Sequence, residues 1–351
     1  MSSRIHWGFK EEILSLLSRA ALAYSDTEQQ MQLLDEASIL LWRFDESVLP
    51  RQAAELRDLL PVAIETWLPR KVSMLYKGAL MQKGMPTILC DTILVDMSED
   101  SLTLRDSLIS EALERTTGKG RPASFREHEV RFGFPGLLLP NDLYPDDFRS
   151  IFYTRIPSYR RDQFIYCCRD CLYPLDIHGD HFQCSSPFCR TPKYPLAPPH
   201  FPTKWTSKPI AKYNFNFQPM LSHFAWRTIA CPLVMEKRIL TYLRKVVPKS
   251  TQETIIPHSN RPGFTIEENG QIIEFNPVAT HSLQTISNYY SQHDLQHPVW
   301  IVVPQGTHKI HFGLRYRLPE NYVVVTTQSY SYEYLNKFYL NRTRGRRIRC
   351  P

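Results

Sequence analysis

The C-terminal half of the chain contains the segment Gly263-Phe-Thr-Ile-Glu-Glu-Asn269-Gly270-Gln-Ile-Ile-Glu-Phe275. Its Asn-Gly pair lies between two runs in which β-branched or aromatic residues alternate with polar residues. Asn-Gly is a preferred pair for the two-residue turn between antiparallel strands, because both residues tolerate positive φ. The segment therefore predicts a β-hairpin, and further helices and strands are predicted on both sides of it.

These flanking elements follow from hydrophobic periodicity and from β-branched apolar runs. In chain order they are a helix at Val234–Arg244, a strand near Glu253–Ile256, a helix at His281–Tyr290, strands at Val299–Pro304 and Tyr322–Thr327, and a final helix at Ser331–Asn341. A hairpin with helices and strands around it predicts an α/β domain.

Four cysteines are spaced as two close pairs, with twelve residues between the pairs: Cys168, Cys171, Cys184 and Cys189. Each close pair can place two thiolates on one tight turn, so that the two turns supply the four ligands of a tetrahedral Zn²⁺ ion. The spacing predicts a zinc ribbon, with Asp176–Asp180 as the hairpin turn between the pairs. Four thiolates leave no position for water, and the predicted Zn²⁺ is therefore structural.

Two disulfides, or buried free thiols, are the alternatives to zinc. The sequence shows no signal peptide at its first residues and no apolar run that predicts a membrane span, so we expect a cytoplasmic protein in a reducing compartment, where disulfides are rare. Cys167 is an alternative ligand to Cys168, and His178 and His181 are weaker substitutes. The remaining thiols, Cys90, Cys231 and Cys350, are isolated in the sequence.

The predicted order of a helix, a hairpin, a crossover helix and two later strands resembles the core of restriction-endonuclease-like folds. In that fold an acidic residue of the hairpin and an acid-x-Lys motif on the next strand hold Mg²⁺, and the lysine orients water and neutralises developing charge. Here Glu274-Phe275-Asn276 takes the place of acid-x-Lys, and Phe264 or Thr265 stands where the aspartate is expected. The resemblance therefore implies a degenerate active site, with Glu274 and Asn276 as its remnant.

Residues 160–330 resemble more specifically the restriction-endonuclease-like accessory protein encoded beside prokaryotic PIWI-RE proteins and a DinG-type helicase. The matching features are the four cysteines, the strand Glu274-Phe275-Asn276-Pro277 and the strand Trp300-Ile-Val-Val-Pro304, and they cover roughly half the chain. The resemblance implies a defence island that acts on foreign DNA, with a PIWI-like protein and a DinG-type helicase as partners.

The N-terminal part is predicted to be helical, because apolar residues recur at helical spacing from residue 10 to residue 67. Ser25-Asp26-Thr27-Glu28 provides a capping signal for the second helix, and Pro50 begins the third. The run Thr87–Asp96 is compatible with either a strand or a helix, and residues 131–163 suggest an irregular connector.

Charge is divided unequally along the chain, whose net charge is +7. Residues 1–150 carry 17 Lys and Arg against 23 Asp and Glu, a net charge of −6, whereas residues 151–351 carry 25 against 12, a net charge of +13. A basic half is suited to a phosphate backbone, although a solvated surface is the alternative. The candidate nucleic-acid-binding residues are Arg342, Arg344, Arg346, Arg347 and Arg349 in the tail, and Lys204, Lys208 and Lys212.

The sequence therefore predicts a multidomain α+β protein. Its segments are a helical module (1–70), a mixed connecting region (71–160), a zinc ribbon with a Pro-rich extension (161–230), and a restriction-endonuclease-like α/β domain with a basic tail (231–351).

Three functions are compatible with these features. The first is a non-catalytic subunit of an antiviral or anti-plasmid complex, which binds DNA or RNA while the helical module contacts a partner protein. The second is an active Mg²⁺-dependent nuclease whose catalytic residues have migrated, for example with Lys249 in place of the missing lysine. The third is a structural scaffold subunit of a ribonucleoprotein.

Overall fold

A computed structural model of the 351-residue chain describes residues 2–45, 51–73, 76–118, 120–131, 133–134, 136, 138, 146–155, 168, 173, 175–178, 181–184, 194–195, 219–246, 254–268, 271–280, 282–292, 297–304, 314 and 317–326. The protein is of mixed α+β class. It divides into two compact units. The first unit comprises Met1–Glu99, Arg155–Ser185 and Thr191–Gln218, and the second comprises Asp100–Thr154, Ser186–Arg190 and Pro219–Pro351.

The helices of the described residues are α1 (Ser2–Leu22), α2 (Thr27–Phe44), α3 (Ala53–Leu59), α4 (Ile64–Trp67), α5 (Arg70–Ser73), α6 (Ile88–Met97), α7 (Ser101–Thr116), α8 (Phe125–Arg131), α9 (Asp146–Phe152), α10 (His223–Ala225), α11 (Cys231–Val246) and α12 (Leu283–Ser291). The strands are β1 (Met81–Gln82), β2 (Met85–Pro86), β3 (Tyr153–Arg155), β4 (Asp176–His178), β5 (His181–Gln183), β6 (Tyr194–Pro195), β7 (Pro219–Leu221), β8 (Ile255–Pro257), β9 (Phe264–Glu268), β10 (Gln271–Pro277), β11 (Val299–Val303) and β12 (Tyr322–Thr326).

The first unit has a helical core built mainly from α1, α2 and α6. Leucine and alanine side chains at helical spacing on α1 and α2 are buried together, and Ile93 of α6 joins the same cluster. Asp26 caps α2, because its side chain accepts a hydrogen bond from the backbone N–H of Gln29. Satisfying an N–H group that has no partner within the helix stabilises the first turn. Helices are thus present in the N-terminal part, and the capping signal at the start of the second helix is confirmed.

The ambiguous run Thr87–Asp96 forms a helix, α6, rather than a strand. This helix is buried on several sides, and even Asp96 is inside, where its carboxylate accepts a hydrogen bond of 3.0 Å from the hydroxyl of Tyr76. Burial on several sides removes the amphipathic pattern that would have distinguished a helix from a strand in the sequence.

A small three-stranded sheet in the first unit has the order β4-β5-β6. Strands β4 and β5 pair antiparallel, and His178 faces His181 across a two-residue connection. The hairpin predicted between the two cysteine pairs is therefore present. Cys168 is buried and its backbone N–H donates to the carbonyl oxygen of Tyr173, while Cys184 directly follows β5.

The second unit is organised by a five-stranded sheet of order β12-β11-β10-β9-β8. Strands β8, β9 and β10 form an antiparallel meander, whereas β10, β11 and β12 are parallel. Glu268 faces Gln271, so the predicted hairpin has a two-residue connection, as expected for its Asn-Gly pair. Every residue of β11 is buried, which is typical of a parallel strand that is covered on both faces.

Helices of the second unit pack onto this sheet and onto each other. A π-helical turn, Trp226–Ala230, leads directly into α11, which packs against β10. The rings of Tyr290 on α12 and Tyr322 on β12 are 5.5 Å apart, so that α12 contacts the far edge of the sheet. The helix α7 packs on α12, where the hydroxyl of Tyr289 donates to Asp106 at 2.6 Å.

The segment predicted as an irregular connector contains a helix and a strand. Residues Asp146–Phe152 form α9, and β3 follows directly and pairs with β7. The aromatic residues of this segment supply packing that sequence periodicity does not show: Phe148 and Phe152 are fully buried. The predicted final helix at Ser331–Asn341 lies outside the described residues. Within those residues, no helix has the length and apolar character needed to cross a membrane.

Candidate functional site

Glu274 and Asn276, the two residues singled out in the sequence, lie two positions apart on the central strand β10. Alternate residues of a strand point to the same face of the sheet, so both side chains project from one face. Both are nearly completely buried. Glu274 faces Thr265 on one neighbouring strand and Val299 on the other. The sequence predicted both residues on the second strand of the hairpin, and that strand lies at the centre of the sheet.

The carboxylate of Glu274 is the hub of a buried polar cluster, here called the Glu274 cluster, which consists of Glu274, Asn276, His258, Arg261 and His297. Its Oε1 atom accepts hydrogen bonds from Arg261 Nη2 at 2.9 Å and from Asn276 Nδ2 at 2.6 Å. Its Oε2 atom lies 3.0 Å from Nε2 of His297, and Nε2 of His258 is 3.9 Å from Oε1. Glu274 is only 3% exposed, so these contacts replace its hydration.

Electrostatics keep Glu274 ionised in spite of its burial. Burial by itself favours the neutral acid, but the hydrogen bond from Asn276, the charge that His258 gains in acid and the charge of Arg261 outweigh it and hold the pKa of Glu274 below its usual value. Burial of Arg261 opposes its charged form, but Tyr289 and Glu274 favour the charged form more strongly. The pKa of Arg261 is therefore raised. Glu274 and Arg261 thus form a charged, partly buried pair at neutral pH.

Glu236 supplies a second buried carboxylate, from the inner face of α11. Its Oε2 atom accepts hydrogen bonds from the backbone N–H of Gly263 at 2.6 Å and from Nη2 of Arg126 at 2.7 Å. Burial raises the pKa of Glu236, although the charge of Arg126 opposes this shift. The sequence analysis missed Glu236. The signal that could have revealed it is a lone acidic residue at a core position of a helix, between the buried Met235 and Ile239.

Arg126 of α8 holds the loop between β8 and β9 in place. Its Nε atom donates to the carbonyl oxygen of His258 at 2.6 Å, and Nη2 donates to the carbonyl oxygens of Gly263 at 2.7 Å and Arg261 at 3.1 Å. Nη1 donates to Glu129 at 3.0 Å. We call Arg126 and these partners, including Glu236, the Arg126 clamp. Because the loop carries both His258 and Arg261, the clamp fixes the backbone of two members of the Glu274 cluster.

Gly263 allows the strands to approach closely beside the cluster. Its φ is +129°, and a Cβ atom placed on it would lie 2.6 Å from Oδ1 of Asn276 and 2.7 Å from the carbonyl oxygen of Phe275. Contacts of this length are not tolerated with a backbone atom, and the φ value is itself unfavourable for residues other than glycine. Glycine at this position therefore lets Asn276 and His258 lie against the backbone of residue 263, directly before β9.

The arrangement neutralises carboxylates rather than presenting them to an external ion. A carboxylate has about four lone-pair sites, and those of Glu274 face three nitrogen donors at hydrogen-bond distance and His258 a little farther away. A metal ion that bound to Oε1 of Glu274 would have to displace the guanidinium of Arg261. Within the described part of the chain, no group of three or more His, Cys, Asp or Glu side chains is arranged to hold a metal ion.

The predicted zinc site is only partly covered by the described residues. Cys168 and Cys184 belong to them, whereas Cys171 and Cys189 do not, so the four-cysteine site stays a prediction. The candidate nucleic-acid-binding residues also lie outside the described residues: Arg342, Arg344, Arg346, Arg347, Arg349, Lys204, Lys208 and Lys212.

The burial of His258 leads us to expect that the protein loses stability as the pH falls from about 6.5 to about 4. Burial lowers the pKa of His258 to about 4, although Glu274 opposes this shift, whereas in an unfolded chain a histidine has a pKa of about 6.5. Between these values the unfolded chain binds a proton that the folded chain does not, and acid therefore favours unfolding. The loss amounts to roughly 3 kcal/mol at the lower end.

Urea denaturation at a series of pH values, on the wild type and on His258→Gln, tests this expectation. The variant should show a flatter dependence of unfolding free energy on pH in this window. Some dependence should remain, because burial also lowers the pKa of His128 to about 3. Equal slopes for the two proteins would show that His258 already binds its proton in the folded state.

Comparisons of this chain with protein-family models, with curated proteins and with solved structures found no match.

Proposed function

We propose that this protein is a non-catalytic, nucleic-acid-binding subunit of a prokaryotic antiviral or anti-plasmid defence complex, built on an inactivated restriction-endonuclease-like domain. The observation that carries the proposal is the pair formed by Glu274 and Arg261, whose atoms are 2.9 Å apart. By the resemblance of this segment to restriction-endonuclease-like folds, Glu274 occupies the position of a Mg²⁺ ligand. The guanidinium supplies positive charge from within the chain at the position where the metal would supply it.

Cleavage of a phosphodiester by such a site needs a metal ion that polarises the phosphate and activates water. Mg²⁺ requires oxygen ligands and near-octahedral geometry, and it keeps several water molecules. Here Glu274 is engaged by Arg261, Glu236 is engaged by Arg126, and the neutral amide of Asn276 stands in place of a lysine. Removing Arg261 from Glu274 to admit a metal would leave a partly buried cation without its partner, which is costly.

Binding to nucleic acid is supported by charge. Residues 151–351 have a net charge of +13, which favours association with phosphates through the release of condensed counterions. A structural Zn²⁺ held by the four cysteines would stabilise the ribbon within this basic half. DNA and RNA share the phosphate backbone, so the charge supports either ligand.

Contact with a partner protein is supported by the surface of α2. Two large apolar side chains, Ile39 at 51% exposure and Trp42 at 46%, are one helical turn apart on this helix. Exposed tryptophan is frequent where protein surfaces meet, because it buries a large area on contact. We infer that the helical module contacts another subunit, such as the PIWI-like protein or the DinG-type helicase.

The proposal predicts binding without cleavage. Purified protein should bind labelled DNA or RNA, and plasmid or oligonucleotide should stay intact with Mg²⁺ or Mn²⁺, because Glu274 is not available to the ion. Glu274→Ala should likewise leave the nucleic acid intact. Cleavage by the wild type that disappears in Glu274→Ala would contradict the proposal. Absence of any binding would instead favour a structural scaffold subunit of a ribonucleoprotein.

An active Mg²⁺-dependent nuclease is the second candidate. The observation that favours it is the second buried carboxylate. Glu236 accepts a hydrogen bond from the backbone N–H of Gly263, and Gly263 lies directly against Asn276. Two carboxylates close to one strand are what a metal-dependent phosphodiesterase needs. Under this candidate Arg261 is a removable obstacle, and Arg261→Ala should increase Mg²⁺-dependent cleavage. Under the first proposal the same variant should be less stable and still inactive.

A further inference from the structure

We propose that the outer face of α2 is a docking surface for a basic amphipathic helix of another protein. This surface, here called the α2 face, is formed by Glu28, Gln32, Asp35, Glu36, Ile39 and Trp42. The inference rests on the function proposed above, in which the helical module contacts another subunit, and it states the chemistry of the segment that binds there.

The α2 face lies opposite the side of the helix that enters the helical core. The core side buries Leu33, Leu34, Ala37 and Leu41, whereas all six residues of the α2 face are exposed. Five of the six follow one another at alternating intervals of four and three residues, in one line along the helix: Glu28, Gln32, Asp35, Ile39 and Trp42. Two helices that pack lengthwise meet along positions with this spacing. The α2 face therefore fits a partner that is itself helical.

The C-terminal half of the α2 face is apolar. Ile39 is 51% exposed and Trp42 is 46% exposed, and the two residues are one helical turn apart. Covering them with apolar side chains of a partner removes this surface from water, which is favourable in proportion to the area covered. The pair can therefore anchor a helix–helix contact at one end of the line.

The N-terminal half of the α2 face is acidic, and α2 itself does not account for its two central carboxylates. Glu28 lies in the first turn, where a negative charge suits the helix dipole. Asp35 and Glu36 lie in the middle of the helix, and the residues three and four positions away from them include no lysine or arginine. Within the described part of the chain, no cation forms an ion pair with either carboxylate, and Glu36 accepts a hydrogen bond of 3.4 Å from the neutral amide of Gln32. Both carboxylates are therefore available to the cations of a partner.

The charge of the α2 face decides which occupant fits it. Nucleic acid and anionic lipid are disfavoured, because their phosphates would meet Asp35 and Glu36. A second copy also fits poorly. Parallel α2 faces would bring the acidic halves together, and antiparallel faces centred on the apolar pair would leave the acidic halves outside the contact. A helix that carries large apolar residues beside lysine or arginine satisfies both halves. If this helix runs antiparallel to α2, its cations lie in its last turns, where they also suit its own dipole.

Designed peptides test the α2 face in the full-length protein. The probe is a helical peptide of about 20 residues. In an antiparallel alignment it has leucine opposite Ile39 and Trp42, and lysine opposite Glu28, Asp35 and Glu36. A second peptide carries glutamate in place of each lysine. Fluorescence anisotropy of the labelled peptides should show that the wild type binds the lysine peptide at least about tenfold more tightly than the glutamate peptide.

Reversal of the charge on α2 should reverse this preference. Asp35→Lys/Glu36→Lys should bind the glutamate peptide more tightly than the lysine peptide, and the helix should persist because lysine is a good helix former. Glu114→Lys/Glu320→Lys is the matched control, since it reverses two exposed carboxylates outside α2 and changes the net charge by the same amount. This control should keep the preference of the wild type.

Removal of the apolar pair should weaken the contact without changing its charge. Ile39→Ala/Trp42→Ala should bind the lysine peptide about tenfold or more weakly than the wild type, because two large apolar side chains no longer contribute to the contact. Leu104→Ala/Val130→Ala truncates two other exposed apolar residues and should bind as the wild type does. Thermal unfolding of each variant, compared with the wild type, establishes that a changed affinity reflects a lost contact.

The outcomes separate the α2 face from the function on which it rests. A preference for the lysine peptide that only the charge reversal on α2 inverts supports the α2 face. A wild type that binds neither peptide, or a preference that both charge-reversal variants change equally, overturns it. If the same protein still binds labelled DNA or RNA, the nucleic-acid-binding function stands without the α2 face. Binding of the lysine peptide without any binding of DNA or RNA contradicts that function and leaves the α2 face in place.

Self-association is the remaining outcome that overturns the proposal. Analytical ultracentrifugation of the wild type at increasing concentration should show no association that depends on the α2 face. A dimer that dissociates in Ile39→Ala/Trp42→Ala, and that keeps the lysine peptide from binding, would assign the α2 face to a second copy of this chain.

Discussion

Protein purified without a chelator is expected to contain one zinc ion per chain, bound through Cys168, Cys171, Cys184 and Cys189. Unfolding must release the metal, so we expect zinc to contribute on the order of 10 kcal/mol to the stability of the ribbon. Cys184→Ser should lose the ion, because a hydroxyl is a poor replacement for a thiolate ligand, and should become sensitive to protease. Elemental analysis and limited proteolysis measure both effects.

Cys350→Ser is the matched control for the zinc prediction, because it removes a thiol that the spacing does not assign to the metal. It should keep one zinc ion per chain and the protease resistance of the wild type. A wild-type protein that is folded and free of zinc would contradict the prediction. Buried thiols or disulfides would then be the remaining explanations for the four cysteines.

Arg126→Met is expected to destabilise the second unit by roughly 3–5 kcal/mol, because it leaves the buried carboxylate of Glu236 without its cation. Arg126 is 14% exposed on its side chain and Glu236 is 4% exposed. The variant also leaves the carbonyl oxygens of His258, Arg261 and Gly263 without the donors that Arg126 provides. Urea denaturation followed by circular dichroism measures the change.

A control and a rescue make the Arg126 prediction specific. Arg131→Met, on the same helix, removes an exposed pair with Glu127 and should cost less than about 1 kcal/mol. Arg126→Met/Glu236→Gln should recover part of the stability lost in Arg126→Met, since the unpaired carboxylate is gone. If the two arginine variants are equally stable, or if the double variant is no better than Arg126→Met, the clamp does not stabilise the fold as inferred.

Local patterns predicted much of the fold. The Asn-Gly pair at 269–270, the Asp26 capping signal and the β-branched run at Val299–Pro304 each carried enough information to identify an element that the structure contains. The sequence did not resolve α6 or α9. Helix α6 is buried on several sides and so shows no amphipathic pattern, whereas α9 has only seven residues, of which Phe148 and Phe152 are buried, and is too short for a periodic pattern to identify it.

The candidate site was predicted only where its residues lie on one strand. Glu274 and Asn276 are separated by two positions, and their common face follows directly from strand geometry. Arg261, His297 and Glu236 were missed because they reach Glu274 or Gly263 from a loop, a strand end and a helix that only the folded chain brings together. The ion pair of Arg261 with Glu274 carries the proposed function, and no local pattern connects these two residues.

The Arg126 clamp also has a consequence for how the protein is made on the ribosome. Arg126 precedes Glu236 by 110 positions and Gly263 by 137, and the cysteine-containing segment of the first unit is encoded between them. At about 5–20 residues per second, the nascent arginine emerges on the order of 10 s before its partners. The clamp can therefore form only after the residues up to Gly263 have been synthesised, and the early segment of the second unit has to wait for them. Because folding of this unit depends on contacts between residues far apart in the sequence, we expect it to fold slowly and to need protection by chaperones during synthesis.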